Sequence, residues 1–273
     1  MEFTNFVVGY DPTRREQPAL ERAALIASET GVSVHVFACI YSDIPKSTAK
    51  PGAVRALIDR QKEILQSEVA PLVAQGLTVT TEVEWDKDWC EAIVRASLKN
   101  GADVVLKSSF RHTPGQRIFN RTSDWTLIRE CACPVMLVKG GSVPESRKVL
   151  AAIGMREGKD TYEQLNQRIL DFSRRVMDNN MAEVHFICAH TDLSSAPDRN
   201  ALIRGYGLAN DRVHIRMGEP EDVIVENARQ INASLVVVGN AARSGLSALI
   251  NGNTVEKVVD RLDCDVLSMC CDK

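Results

Sequence analysis

Residues 236–255 read Val-Val-Val-Gly-Asn-Ala-Ala-Arg-Ser-Gly-Leu-Ser-Ala-Leu-Ile-Asn-Gly-Asn-Thr-Val. An apolar run of strand type enters a glycine, a loop follows, and Gly252-Asn253-Thr254 opens a helical run to Leu262. Strand, loop and helix in that order form the unit of a parallel α/β sheet, whose ligands bind outside the carboxyl ends of the strands. Glycine lets backbone N–H groups approach a phosphate, and a helix N-terminus adds free N–H groups and partial positive charge. The same residues also suit a tight turn with an Asn N-cap and no ligand, and spacing alone does not separate the two. Neither G-x-x-x-x-G-K-[ST] nor G-x-G-x-x-G occurs in the chain.

Around this stretch, strands and helices alternate. Strand patterns cover Lys148–Ile153, Val184–His190, Val213–Met217, Leu235–Val238 and Asp265–Cys270. Between them lie helical patterns at Thr161–Asp178, within Asn200–Leu208, at Glu221–Ile231 and at Thr254–Leu262. The preceding half has the same order. Its strands are Phe6–Tyr10, Val32–Tyr41, Leu77–Trp85, Val104–Lys107 and Pro134–Lys139. Its helices are Glu16–Thr30 closed by Gly31, Ala53–Gln75 closed by Gly76, Cys90–Leu98 and Asp124–Glu130. The turn-rich segment Gly140–Arg147 reads as a linker, which sets domains at 1–140 and 147–273. The fold class expected is α/β: two tandem open parallel five-stranded sheets with helices on both faces.

The halves superimpose. From the third strand onward an offset of 131 residues needs no gap: Glu91–Val94 falls on Asp222–Val225, Ala102–Leu106 on Ala233–Val237, and Cys133–Met136 on Cys264–Leu267. Earlier, Val34-His35 matches Val184-His185 at an offset of 150, so 19 residues are missing from the second copy, where the first has its long helix. Repetition of one supersecondary order at domain length indicates duplication.

Composition narrows the function classes. The 273 residues are 44% hydrophobic and 25% charged, with net charge −3, values of a globular protein with no electrostatic attraction to nucleic acid or an anionic membrane. The N-terminus lacks a positive region followed by a long apolar run, and no apolar stretch approaches about 20 residues; a cytoplasmic location is expected. The cysteines (Cys39, Cys90, Cys131, Cys133, Cys188, Cys264, Cys270 and Cys271) read as reduced core residues, and no metal site is expected.

The segments Asp11-Pro12, Thr122-Ser-Asp-Trp125, Cys133-Pro-Val135, Gly218–Ile224, Gly239–Thr254 and Cys264-Asp-Val266 together resemble the universal stress protein family in its tandem form. The family's ATP motif is strand-Gly-x2-Gly-x9-Gly-[Ser/Thr]-helix, with an Asp at the end of strand one meeting the adenosine. By this resemblance the second-half ligand residues are Gly239, Ala242, Gly245, Gly252, Asn253 and Thr254, with Ala242 in place of the middle glycine and Asn253 in place of Ser or Thr. In the first half a degenerate cleft would hold Asp11, Ser108, Arg111, Arg121, Thr122 and Ser123, with Arg111 and Arg121 filling it. The first half keeps Asp11 without the loop; the second keeps the loop with Gly154 where the Asp belongs. Neither carries a complete nucleotide site.

The resemblance implies a non-catalytic stress-response module, ligand-responsive or scaffolding, with ATP possible in the second domain. The alternatives are an ATP-binding protein with weak ATPase activity there, and a sensor of an apolar or lipid-like ligand, lodged where the 19-residue gap leaves the second sheet less covered. Homodimerisation is possible, and the resemblance implies intramolecular pairing of the two last strands. Of the remaining candidates, His35 and His185 read as packing or interface residues. Asp86, Asp88 and Glu91 read as acidic residues of a first helical turn, and Trp85, Trp89 and Trp125 as cover for the first cleft or the seam between halves. Cys188 and His190 share a strand face but are too few for a metal. There is no nucleophile elbow.

Overall fold

The computed structural model describes residues 3–42, 52–110, 117–140, 146–154, 160–178, 181–193, 196–240 and 254–270. The chain divides into two compact units, Met1–Gly141 and Ser142–Lys273. The first runs β1 (Asn5–Tyr10), α1 (Pro18–Thr30), β2 (Ser33–Ile40), α2 (Ala53–Ala74), β3 (Val79–Trp85), α3 (Trp89–Lys99), β4 (Val104–Ser109), α4 (Arg117–Glu130) and β5 (Val135–Lys139). Its strands are parallel in the order β3-β2-β1-β4-β5.

The second unit runs β6 (Lys148–Ala152), α5 (Asp160–Asp178), β7 (Glu183–His190), α6 (Arg199–Tyr206), a 3-10 turn (Asn210–Arg212), β8 (Val213–Met217), α7 (Pro220–Gln230), β9 (Leu235–Asn240), α8 (Thr254–Arg261) and β10 (Asp265–Cys270). Its strands are parallel in the order β8-β7-β6-β9-β10.

The central strands are short continuous apolar runs, the mark of parallel strands covered on both faces. Phe6, Val7 and Val8 of β1 and Val104, Val105 and Leu106 of β4 are all buried. Helix ends follow local chemistry. Pro18 opens α1, where its missing N–H costs nothing, and Gly31 closes it at φ 75°, the left-handed conformation that favours glycine. Asp88 caps α3, its carboxylate accepting from the N–H groups of Cys90 and Glu91 at 3.0 and 3.1 Å.

Several elements are longer than their patterns, α4, β4 and β9 by two residues or more at one end. The α4 helix begins at Arg117 rather than Asp124, because Arg117–Ser123 carries no apolar stripe for periodicity to detect. The β9 strand continues through Gly239-Asn240, held in the ladder by pairing with Met269 and Cys270. The missing segment of the second copy shows in the helices: α6 has 8 residues where α2 has 22. Strand register also locates equivalent positions. Phe6 pairs with Val104 and Val149 with Leu235; at the offset of 131, Phe6 therefore corresponds to Val149, and Asp11, five residues on, to Gly154.

Candidate functional site

In each sheet the strand order reverses beside the first strand, and the space outside the carboxyl ends there is where such folds bind ligands. In the first unit that space is a cleft of about 410 Å³. Its walls are aromatic: Tyr10 from the end of β1, Phe37 from β2, Tyr41 beyond β2, Trp89 at the start of α3 and Phe110 after β4. Charged groups complete the lining, among them Asp11, Arg14, Asp86 and Lys107.

Asp11, Arg14, Asp86 and Lys107 have partners in the protein, and the lining also includes the exposed Lys87. Asp11 Oδ1 accepts from the backbone N–H and the hydroxyl of Thr13 at 2.9 and 2.6 Å, and Oδ2 lies 3.5 Å from Arg14 Nε. The Arg14 guanidinium also lies 4.0 Å over the Phe110 ring. Asp86 pairs with Arg95 and accepts the Asp88 N–H at 2.9 Å. That backbone bond and the guanidinium hold its carboxyl below the usual range. Lys107 Nζ pairs with the buried Asp124, donates to the Ser108 carbonyl at 3.4 Å, and sits 5.1 Å from the Trp89 ring centroid.

Two thiols stand close by, and neither is a ready nucleophile. Cys39 donates to the Asp86 carbonyl at 3.3 Å. Burial pushes the Cys39 thiol up to about 11 and the Cys90 thiol up to about 12, so both are protonated at neutral pH. Among the described residues, no three His, Cys, Asp or Glu side chains converge on a metal position.

The family profile described as Universal stress protein family matches residues 2–139 and 180–268. The chain belongs to the universal stress protein family. It is 28% identical over 294 residues to Universal stress protein E of Escherichia coli K12, with 97% of this chain and 93% of the relative covered. Universal stress protein E homolog of Haemophilus influenzae is 26% identical, with 98% of each chain covered. Among solved structures, a functionally unknown protein of Pseudomonas aeruginosa PAO1 is 26% identical with TM-score 0.75, covering 99% of this chain and 93% of its own. A universal stress protein from Archaeoglobus fulgidus shares the fold at TM-score 0.77 and 18% identity, covering 98% and 96%. Coverage of nearly the whole length of both partners makes this a universal stress protein of tandem type.

Of the residues singled out in this universal stress protein, Asp11 and Ser108 meet at the cleft. Ser108 stands where the motif's first glycine would be, and its hydroxyl accepts the N–H of Ala19 at 3.1 Å. It thereby satisfies an orphan donor at the start of α1, a use that sequence spacing does not reveal. Arg111 lies outside the described residues, and Arg121, Thr122 and Ser123 are placed in α4 by backbone alone.

In the second unit, Gly239 is a strand residue whose added Cβ would meet Leu165 Cδ1 at 3.3 Å and Ile169 Cδ1 at 3.5 Å. Close seating of α5 explains this glycine without a ligand. Ala242, Gly245, Gly252 and Asn253 lie outside the described residues; Thr254 opens α8, its side chain likewise outside.

Three features escape the sequence reading. The first is a carboxamide clip, present once in each unit. Gln17 accepts the Asp11 N–H at 3.2 Å and donates to the Asp11 carbonyl at 2.7 Å; Asn166 does the same to Gly154, at 3.0 and 2.7 Å. Both amides are buried. The second is the ion pair of half-buried Lys107 with buried Asp124, whose counterparts at the offset of 131 are Val238 and Val255, both buried. That exchange was visible in the aligned halves, but only as two unrelated substitutions.

The third is the bonding of the matched histidines. His35 Nδ1 meets Thr80 Oγ1 at 2.8 Å, and its Nε2 lies 3.3 Å from Glu82. His185 Nδ1 meets His214 Nε2 at 3.0 Å and its Nε2 meets Glu183 at 2.8 Å. Both are buried. Of the tryptophans, Trp89 lines the cleft, Trp85 packs on Tyr41 with centroids 5.7 Å apart, and Trp125 is buried.

Proposed function

We propose that this tandem universal stress protein is a non-catalytic, ligand-responsive module of the stress response, and that its small-molecule ligand binds in the cleft of the first unit. The observation that carries this reading is the lining: five aromatic rings around about 410 Å³. A volume of that order and an apolar wall with a few fixed polar groups are what small-molecule sites have in common. The rings suit a flat, mainly apolar molecule. A triphosphate needs several unengaged cations or N–H donors, whereas Arg14 is held by Asp11 and Lys107 by Asp124, and the remaining cation of the lining is the exposed Lys87. The apolar-ligand alternative, expected in the second half, thus draws its support from the first.

A second reading keeps an adenine nucleotide in the second unit, with weak hydrolysis as its extension. It is favoured by α8 opening at Thr254 after a strand that ends in Gly239-Asn240, the order the family motif requires; Gly252 and Asn253 are its remaining residues. A cytoplasmic location, a possible homodimer and the pairing of the two last strands implied by the family belong to the same proposal.

Native mass spectrometry of the purified full chain tests the two sites together. The expected result is a co-purifying small molecule retained in Gly252→Asp and lost in Trp89→Ala. A fluorescent ATP analogue that binds at micromolar levels and is lost in Gly252→Asp, with Trp89→Ala unaffected, would move the ligand site to the second unit.

A further inference from the structure

The two units place one exchange at the wall of the cleft. Where the first unit has Lys107 on β4 and Asp124 on α4, the second has Val238 on β9 and Val255 on α8. The seat is otherwise alike: Leu127 and Ile128 in one helix, and Val258 and Val259 in the other, are all buried. The equivalent positions hold two buried valines in one copy and an ion pair in the other. A buried ion pair is seldom more stabilising than apolar side chains of similar volume, so stability gives no account of the exchange.

What does change is the cleft. Lys107 lines it, and the Lys107 side chain is 18% exposed where its partner Asp124 is 9% exposed. An ammonium has three N–H donors. Asp124 engages one and the Ser108 carbonyl, at 3.4 Å, a second weakly, which leaves donor capacity on the cleft side, beside Trp89. Asp124 does not depend on Lys107 alone. The Ser109 hydroxyl lies 3.4 Å from its other oxygen, and Lys139 Nζ donates to that hydroxyl at 3.5 Å. The carboxylate therefore keeps a polar neighbour when the ammonium is shared with a ligand.

We propose that Lys107 is the anion anchor of the cleft, and that the first unit binds a flat ring compound bearing a single acidic group, its ring against Trp89 and its acidic oxygen on the Lys107 ammonium. This rests on the reading of the cleft as a ligand site. At this wall the cleft offers one ammonium, shared with one buried carboxylate, and that matches one acidic group.

Two naphthalene probes with the same ring system test it: 8-anilinonaphthalene-1-sulfonate, which carries an acid, and N-phenyl-1-naphthylamine, which does not. Each is titrated into the full chain and followed by its emission and by energy transfer from tryptophan. Wild-type protein is expected to bind both. The double variant Lys107→Val/Asp124→Val copies the pair already seated in the second unit. It is expected to lose roughly tenfold to a hundredfold in affinity for the sulfonate, the worth of one hydrogen bond to a charged group, and to bind the neutral probe as before.

Lys107→Met/Asp124→Asn serves if the valine pair fails to fold. In the wild type, added salt is expected to weaken the sulfonate's binding and not the neutral probe's. Unchanged sulfonate affinity, or equal loss for both probes, overturns the anchor and leaves Lys107–Asp124 a structural pair. If neither probe binds wild-type protein, the cleft reading itself fails.

Discussion

Gly239 illustrates how far one residue type can be interpreted from sequence. Its place at the end of an apolar run invites the phosphate-approach explanation, yet it lies within β9 with Leu165 and Ile169 packed over it. Gly239→Ala is expected to cost about 1 kcal/mol, the low end of small overpacking penalties. Urea denaturation followed by circular dichroism measures it; an unchanged midpoint would show that α5 gives way freely. In the first unit the same position is Ser108, whose hydroxyl caps α1. At this scale the sequence exposed the positions that differ, and the neighbours decided what each difference does. Asp11 was legible as a cleft residue, but its bonds to Thr13 and Arg14 came from the turn that follows it.

At the scale of elements, hydrophobic periodicity located the strands and helices well, and β8 and β10 match the strand patterns at both ends. It failed where the sequence carries no apolar stripe, as in Arg117–Ser123 of α4. Between β2 and β3 the buried His35, and between β7 and β8 the half-buried His214, make an element-level prediction about pH. Burial lowers the His35 value from the ordinary 6.5, against the pull of Glu82. Burial, then His185, Arg216 and Arg199, lower that of His214. A histidine with a depressed folded value binds fewer protons folded than unfolded. Its stabilising contribution is therefore present above the unfolded value and lost as pH falls below it.

The melting temperature is accordingly expected to fall as pH drops through 6.5, the ordinary histidine value. His214→Gln should flatten that limb. The carboxylates act lower. Burial works to raise Glu82, but Lys99 at 2.7 Å outweighs it, so its contribution is lost only below the ordinary 4.5. A melting temperature flat down to about pH 5 in the wild type would show that neither histidine is held neutral.

At the scale of the molecule, duplication produced two sheets of one topology with different contents. If the first cleft is the ligand site, N-phenyl-1-naphthylamine should slow hydrogen exchange at the carboxyl ends of β1 and β4 and the start of α3, and leave β6, β9 and α8 unchanged. Mass spectrometry of peptic fragments reads this directly, and equal protection in both units would contradict it.

The sequence by itself determined the element order, the duplication, the α/β class and the asymmetry between Asp11 and the Gly239–Thr254 loop. These are carried by periodicity and by a constant offset along one chain. The tertiary structure alone decided which side chains meet. Parallel pairing puts β1 beside β4, so Ala19 meets Ser108 across 89 residues, and α4 brings Asp124 to Lys107 across 17. Contacts of that kind depend on strand order and on how each helix crosses the sheet, and neither quantity is written in local spacing.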